Sequence, residues 1–506
     1  MPEFFKVAQD NVQVQANRAL SFFDMAPSKL KRQRFQKRLD FYHGIQEQYL
    51  KEDITKNYKH PDRLNLQLEY DNITKFLTKE LAAVYNEAPI RKVEEGTEQD
   101  QEIFDHIWDR SQIDLMMQEA NRMTKLCKTV IIKVSWRDET IQYDIITPNL
   151  FEALPMVDDQ TKADAFIYAS IYDTENDSEY LNNDRTKTKE DKFDSQDAIF
   201  YYWTNENFIG FKRDVRGGKK ARISFNDKNE DFVNPYGLKP FVVMRDEFPT
   251  TGFYIQGGDE LINKNGIINQ KLTEKNYLTK QQSFSNLVRK GAPSGAAGLI
   301  SDPSMTLDVP ADTEMSKGND IKYITPDAKI EELTKDIEGK KRQVAIDAKL
   351  NPDIFTASAE RSSAQSLQLQ NAQQAQIVKA DKPFYMEYEQ NLFDITRIVW
   401  NTHNNKKISD KATLFVDYKD SEMIMTVKEE DEHMIILDTN NLISKVDWIM
   451  KINPDLNTRE AAMQRLIEIS EEKADLMKLM IPTMPEMELD NDADTEATKP
   501  TDSKVK

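Results

Sequence analysis

The chain reads as an α+β protein, mainly helical, with a β-rich subdomain and long helices that serve a ring oligomer. Three observations carry that expectation. The stretch from Gly257 to about Asn405 holds three long helices, each diluted with polar residues. Between Thr129 and Phe225, runs rich in Ile, Val, Tyr and Trp alternate with period two, as half-buried strands do. A length of 506 residues exceeds what one core sustains, about 250–300 residues.

The elements follow in order. Residues 1 to about 60 read as helical and carry the basic run Lys29–Arg34. Residues 63–87 predict an amphipathic helix with Leu64, Leu66, Leu68, Tyr70, Ile73, Phe76, Leu77, Leu81 and Val84 as its apolar positions, stopped by Ala88-Pro89. Another helix covers about Gln99 to Lys125. Strands are expected at Thr129–Trp136, Thr140–Ile146, Ala165–Tyr172 and Ala198–Trp203. A hairpin joins Asn207–Arg213 to Ala221–Phe225 through Gly217-Gly218, which supply the positive φ of a tight turn. Residues 174–195 read as an acidic surface loop.

The long helices are expected at Asp259–Lys290, from about Asp327, and at about Ser362–His403, with the small-residue run Gly291–Gly298 after the first. Helices this polar do not close a monomeric core alone, and they suit a ring in which each packs on copies of itself. The third is Gln- and Ala-rich before Pro383 and core-like after it, from Phe384 to Trp400. Proline removes one backbone hydrogen bond there and kinks the helix. Lys411–Val427 reads as short β or mixed structure, followed by helices at 429–440, 444–453 and 458–478, the last with Thr458 as its cap. From Pro482 onward the acidic, aperiodic sequence reads as a disordered tail.

Composition narrows the function. Hydrophobic residues make up 39% and charged residues 31%, with a mean hydropathy of −0.69. No apolar run reaches the roughly 18 residues of a spanning helix, so no membrane role is expected. The N-terminal residues lack the layout of a signal peptide. The single Cys127 permits no intrachain disulfide, points to a reducing cytoplasm and sits beside an apolar run, where a buried thiol is expected. Net charge is −19, opposite to the basic footprint of a protein that clamps nucleic acid. It permits a surface that DNA passes without sticking, and it equally serves solubility.

Catalytic motifs are missing from the sequence. No G-x-x-x-x-G-K-[ST] loop occurs, since Gly217-Gly218-Lys219 is preceded by Arg213 and followed by Lys220 where the motif needs Gly and Ser/Thr. There is no H-E-x-x-H, no G-x-S-x-G and no paired Cys/His spacing, and the five histidines are scattered. The expectation is a non-enzyme without catalytic residues, cofactor or metal.

Six segments then point to a family. Phe41-Tyr42-His43-Gly44-Ile45-Gln46 comes first, then Tyr70-Asp71-Asn72-Ile73 running to Tyr85-Asn86-Glu87-Ala88-Pro89-Ile90. Met116–Val134 leads to Ile145-Ile146-Thr147-Pro148-Asn149-Leu150-Phe151. Asp320-Ile321-Lys322-Tyr323-Ile324 opens the second long helix, and Leu350-Asn351-Pro352-Asp353 precedes Ser362-Ser363-Ala364-Gln365-Ser366-Leu367. Asn441-Leu442-Ile443-Ser444-Lys445 with Asn453-Pro454 closes the series. In this order they resemble the portal protein of tailed double-stranded DNA bacteriophages, of the long-tailed Gram-positive-phage type. The family's usual Gly is replaced by Asn86 or Glu87 in one segment and by Ser363 in another.

The resemblance implies a mainly helical portal fold. N-terminal helices and an α+β wing would take 1–257, stem helices 258–290 and 327–349, and a clip 291–326 between them. A tunnel loop would take 350–365, a long kinked helix with wing return 366–428, a helical crown 429–481 and an acidic tail 482–506. Thr356, Ser358, Glu360, Arg361 and Ser362 would then brush DNA in the channel, and Lys335, Lys340, Lys341 and Arg342 are candidates for the stem lumen. Implied partners are copies of itself in a ring, commonly of twelve subunits, double-stranded DNA, a terminase that supplies ATP hydrolysis, the major capsid and scaffolding proteins and a head–tail adaptor. The place would be one vertex of the virion capsid, after assembly in the host cytoplasm. The alternative is a non-portal scaffold or head–tail adaptor with a helical oligomerisation stalk, and an ATP-dependent or nuclease enzyme stands third.

Overall fold

A computed structural model describes residues 2–58, 66–171, 198–214, 220–223, 232–282, 286–292, 307–310, 320–324, 329–355, 364–418, 435–437, 439, 443–452 and 458–480. The chain is a mixed α+β structure of two units, Met1–Met423 and Ile424–Lys506.

The first unit opens with helices α1 (Pro2–Asp24), α2 (Ala26–His43) and α3 (Glu47–Asn57). A short helix α4 (Ile73–Leu81) follows, capped by Asn72, whose side chain accepts from the Lys75 N–H at 3.0 Å. This corrects the amphipathic helix expected over 63–87. Residues Leu66–Asp71 are not helical. The backbone groups of Glu69 and Asp71 are taken by side chains of a distant helix, which a sequence window does not show.

After strand β1 (Ile90–Glu94), a reciprocal capping box of Thr97 and Asp100 starts α5 (Glu98–Ser111). The single helix expected over 99–125 is two. Gln112 adopts a left-handed conformation (φ 51°), so the path turns before α6 (Ile113–Cys127) begins.

The strands expected from alternation are present. A three-stranded antiparallel sheet orders β3 (Thr140–Ile146), β2 (Thr129–Arg137) and β9 (Phe241–Arg245). A five-stranded antiparallel meander runs β4 (Phe151–Pro155), β5 (Ala163–Ile171), β6 (Ala198–Trp203), β7 (Phe208–Asp214) and β8 (Lys220–Ile223). The hairpin pairs Phe211 with Ile223, while its glycine turn lies outside the described residues, as does the acidic loop at 174–195.

Alternation in β5 sorts two cores. Ala165, Ile167 and Ala169 face Ala16, Leu20 and Phe23 of α1. Phe166 and Tyr168 face the other way, with Ile131, Phe241 and Phe253. Each large apolar side chain buried this way contributes about 1.5–3 kcal/mol. Cys127 is fully buried within the main core, and burial pushes its thiol up to about 12, as a structural cysteine requires.

Helix α7 (Asp259–Gln282) ends eight residues before the Lys290 expected for it. Asn286–Ala292 is instead strand β10, centre of a sheet with β11 (Leu307–Pro310) and β12 (Asp320–Ile324). Leu287 pairs with Tyr323 and Val288 with Lys322 across that antiparallel contact. The β-branched and apolar residues there prefer a paired, pleated surface over a helix end. Helix α8 (Ile330–Asp347) returns, and a one-turn 3₁₀ segment follows at Pro352–Phe355.

The long helix α9 (Ala364–His403) carries Pro383 inside it. Beyond that proline, Tyr385, Tyr388, Leu392 and Val399 are buried in the main core, as its sequence predicts. Strand β13 (Thr413–Asp417) pairs antiparallel with β1 across more than three hundred residues. Gln101 and Gln390 accept from the outward N–H groups of Val93 and Leu414, so both edges of this two-stranded sheet are partly satisfied.

In the second unit, α10 (Lys445–Ile452) and α11 (Arg459–Met480) are described. Ser444 and Asp447 cap α10 reciprocally, and Thr458 caps α11 through the Ala461 N–H at 3.4 Å, in agreement with the sequence. The tail after Met480 lies outside the described residues.

Candidate nucleic-acid interface

The channel residues expected from the sequence fall into two groups. Thr356, Ser358, Glu360, Arg361 and Ser362 lie outside the described residues. Lys335, Lys340, Lys341 and Arg342 sit on α8, which packs antiparallel on α7.

These two helices close an apolar core within the chain. Ile268 and Leu272 of α7 meet Ile337, Val344 and Ala345 of α8, with Leu77, Leu350 and Ile354 completing the cluster. The expectation that such helices lack an apolar face of their own is therefore corrected. Lys264 pairs with Asp347, and Lys271 with Asp336 at 2.7 Å, tying the pair at two levels. The hydrogen bond from Lys271 holds the Asp336 carboxylate below its usual range.

The polar residues of α7 have an internal use. Asn265, Asn269 and Thr273 recur every four residues on one face and are essentially fully buried. Asn265 accepts from the Thr74 N–H at 3.1 Å and the Thr74 hydroxyl at 2.8 Å, and donates to the Asp71 carbonyl at 2.9 Å. Asn269 accepts from the Asp71 N–H at 3.0 Å. The Thr273 hydroxyl accepts from the Glu69 N–H at 3.1 Å and donates to its carbonyl at 3.2 Å. One helix face thus satisfies the backbone of Glu69 and Asp71, as a neighbouring strand would, and the first turn of α4 at Thr74.

The base of α7 is braced by arginines. Arg38, buried, donates to Asp259 through Nε at 2.8 Å and Nη2 at 2.7 Å, and also reaches the Gly257 carbonyl. Arg34 pairs with the same carboxylate. Gly258 stands at φ 89°, and a Cβ there would come 2.8 Å from Arg38 Nη1, so only glycine fits. The basic run read from the sequence is spent nearby: Lys31 and Arg32 both pair with the fully buried Glu152.

Burial alone would raise the pKa of Asp259, but Arg34 and Arg38 outweigh it and hold the carboxyl below its ordinary value. A depressed carboxylate stabilises the fold above the unfolded value, about 3.9, and that contribution is lost as pH falls through the folded value. Asp259→Asn should therefore flatten the acid side of the stability profile below about pH 4, read by urea unfolding at stepped pH.

The four lysine and arginine candidates on α8 are not gathered into one patch. Lys341 pairs with Asp71 at 2.5 Å and Arg342 lies 3.8 Å from Asp353. Lys335 and Arg342, seven residues apart, share the exposed face with Glu331 and Glu338. That face is mixed in charge. The polar ladder of α7 was missed in the sequence reading, although Asn265, Asn269 and Thr273 at four-residue spacing beside Ile268 and Leu272 were its signal. Among the described residues no group of three or more His, Cys, Asp or Glu is placed to hold a metal ion, and no helix is long and apolar enough to cross a membrane.

No family model matches the chain, and no curated protein matches it. Solved structures of similar outline include two from gene transfer agent particles. One, the virion of a native gene transfer agent particle, has a TM-score of 0.39 and 7% identity, over 74% of this chain and 88% of that chain. The other, the neck of an empty gene transfer agent particle computed with C6 symmetry, has a TM-score of 0.41 and 9% identity over the same shares.

Proposed function

We propose that the chain is a portal subunit, one copy in a ring that forms the DNA conduit at a single capsid vertex and joins head to tail. One observation carries the reading: the order of α7, the small sheet β10–β12, the antiparallel α8 and the 40-residue α9. That order supports the stem, clip, stem and long helix that the resemblance implies. At 1.5 Å per residue the 24-residue α7 makes a rod about 36 Å long, held to α8 by the two ion pairs.

In this reading the chain performs no chemistry. It passes DNA with weak, sequence-independent contact, because each grip on a phosphate must be released as the next arrives. Acids outnumber bases 87 to 68, and the α8 face interleaves both signs. A terminase, capsid and scaffolding proteins and a head–tail adaptor would be its partners.

Immunogold labelling of particles that contain this chain tests the placement. Label at one vertex per particle is expected. Label spread over all vertices, or confined to the tail tube, contradicts it.

A further inference from the structure

A cleft of about 350 Å³ opens between the three-stranded and five-stranded sheets. Phe241, Val243 and Arg245, alternate residues of β9, line it together with Phe166, Phe253 and the end of the β4–β5 hairpin. Its middle is apolar. Its ends are cationic, with Lys239 before the strand, Arg245 at its far end and Lys162 on the hairpin. From residue 239 to residue 245 an extended chain covers about 20 Å.

The two strand-end cations have neutral partners. Arg245 donates through Nε to the Phe253 carbonyl at 3.1 Å and through Nη2 to the Thr161 carbonyl at 2.7 Å. Its guanidinium lies 4.8 Å from the Phe253 ring. Lys239 donates to the Asn205 side-chain carbonyl at 2.9 Å. Among the described residues neither forms an ion pair, and Asp159 and Asp164 act on them only at longer range. Burial lowers both pKa values, the mark of cations that would gain from an incoming anion. Lys162 is satisfied locally, by Asp159 at 3.2 Å.

We propose that this cleft binds a short extended segment of a partner protein in which an apolar side chain is flanked by carboxylates. The apolar side chain would fill the middle, and one carboxylate would take the unspent Nη1 hydrogens of Arg245 while the other meets Lys239. The volume lies within the range of small-ligand sites, and two separated cations about an apolar centre select two separated anions over a single one. The proposal is independent of the ring, since the cleft lies within residues 156–253 of one chain.

The probe is the peptide acetyl-Asp-Ser-Phe-Ser-Asp-amide, titrated into the full chain and followed by isothermal calorimetry. Saturable binding is expected, weakened about tenfold or more when both Asp are replaced by Asn. Lys239→Glu should weaken the acidic peptide similarly, with Lys162→Glu as a second, milder variant. Both positions are partly exposed, and circular dichroism checks that each variant stays folded. Arg245 is left in place because it ties two backbone carbonyls. Equal binding of the acidic and neutral peptides, no saturation at millimolar peptide, or unchanged affinity in the folded variants would overturn the proposal. Displacement of the peptide by phenyl phosphate at lower concentration would also overturn it, reassigning the cleft to a phosphorylated ligand.

Discussion

Glu389→Ala should lower stability by about 3–5 kcal/mol, the cost of breaking a buried ion pair by removing one partner. Glu389 sits on the core-bound half of α9, and its side chain is 2% exposed. It accepts from Arg91 through Nε at 3.0 Å and Nη2 at 2.7 Å, and from the Tyr85 hydroxyl at 2.9 Å. The Tyr418 hydroxyl lies 3.1 Å from that of Tyr85. Without the carboxylate, Arg91 keeps only Asp114 among the described residues, and Asp114 is about half exposed and screened by water. The double variant Arg91→Met/Glu389→Met should recover most of the loss, because a buried pair replaced by apolar groups of similar volume is often neutral. Urea unfolding of the three proteins measures both effects. A double variant as unstable as Glu389→Ala would mean that the pair itself, rather than the stranded charge, sets the cost.

Asn265→Leu should cost about 3–5 kcal/mol as well. It leaves the Thr74 N–H, the Thr74 hydroxyl and the Asp71 carbonyl without their partner, and each stranded buried group costs about 1–3 kcal/mol. Thr273→Val strands only the two Glu69 backbone groups at the far end of the ladder, and because Glu69 is only half-buried water can take them, so the cost should be smaller, about 1–2 kcal/mol. Hydrogen exchange gives the second readout. Protection should fall at Asp71 and Thr74 in the Asn265 variant and at Glu69 in the Thr273 variant. Uniform loss of protection across α7 in both would show that the ladder holds the helix rather than the segment beside it.

Strand positions were legible because alternation is local. Ala165 to Ile171 shows which face each side chain takes, whatever lies opposite. The core half of α9 was legible for the same reason, with Tyr385, Tyr388 and Leu392 on one helical face. What the sequence hid depends on distant partners. Leu66, Leu68 and Tyr70 alternate with period two inside the stretch expected to be helical, and the Glu69 and Asp71 backbone groups are taken by Asn265, Asn269 and Thr273, some two hundred residues on. The polarity of α7 looked like a wet face because nothing nearby in sequence shows what Asn265 and Asn269 bond. Strand β1, with Arg91, Lys92 and Glu94 in five residues, finds β13 only in the folded chain. Of the candidate site, Lys341 and Arg342 turn out to have carboxylate neighbours in space, Asp71 and Asp353, that helix periodicity does not reveal.

The ring is the claim on which the rest of the functional reading turns. It no longer leans on the polarity of α7 and α8, since these close a core together, and it rests on the order of the elements. Native mass spectrometry of the purified full-length chain, with electron micrographs of the same sample, tests it most directly. The account predicts one closed species near twelve 58.7 kDa subunits, about 700 kDa, showing an axial hole in end-on views. A monomer, dimer or trimer at micromolar concentration, in particles without a central opening, would contradict it and favour a stalk-bearing adaptor.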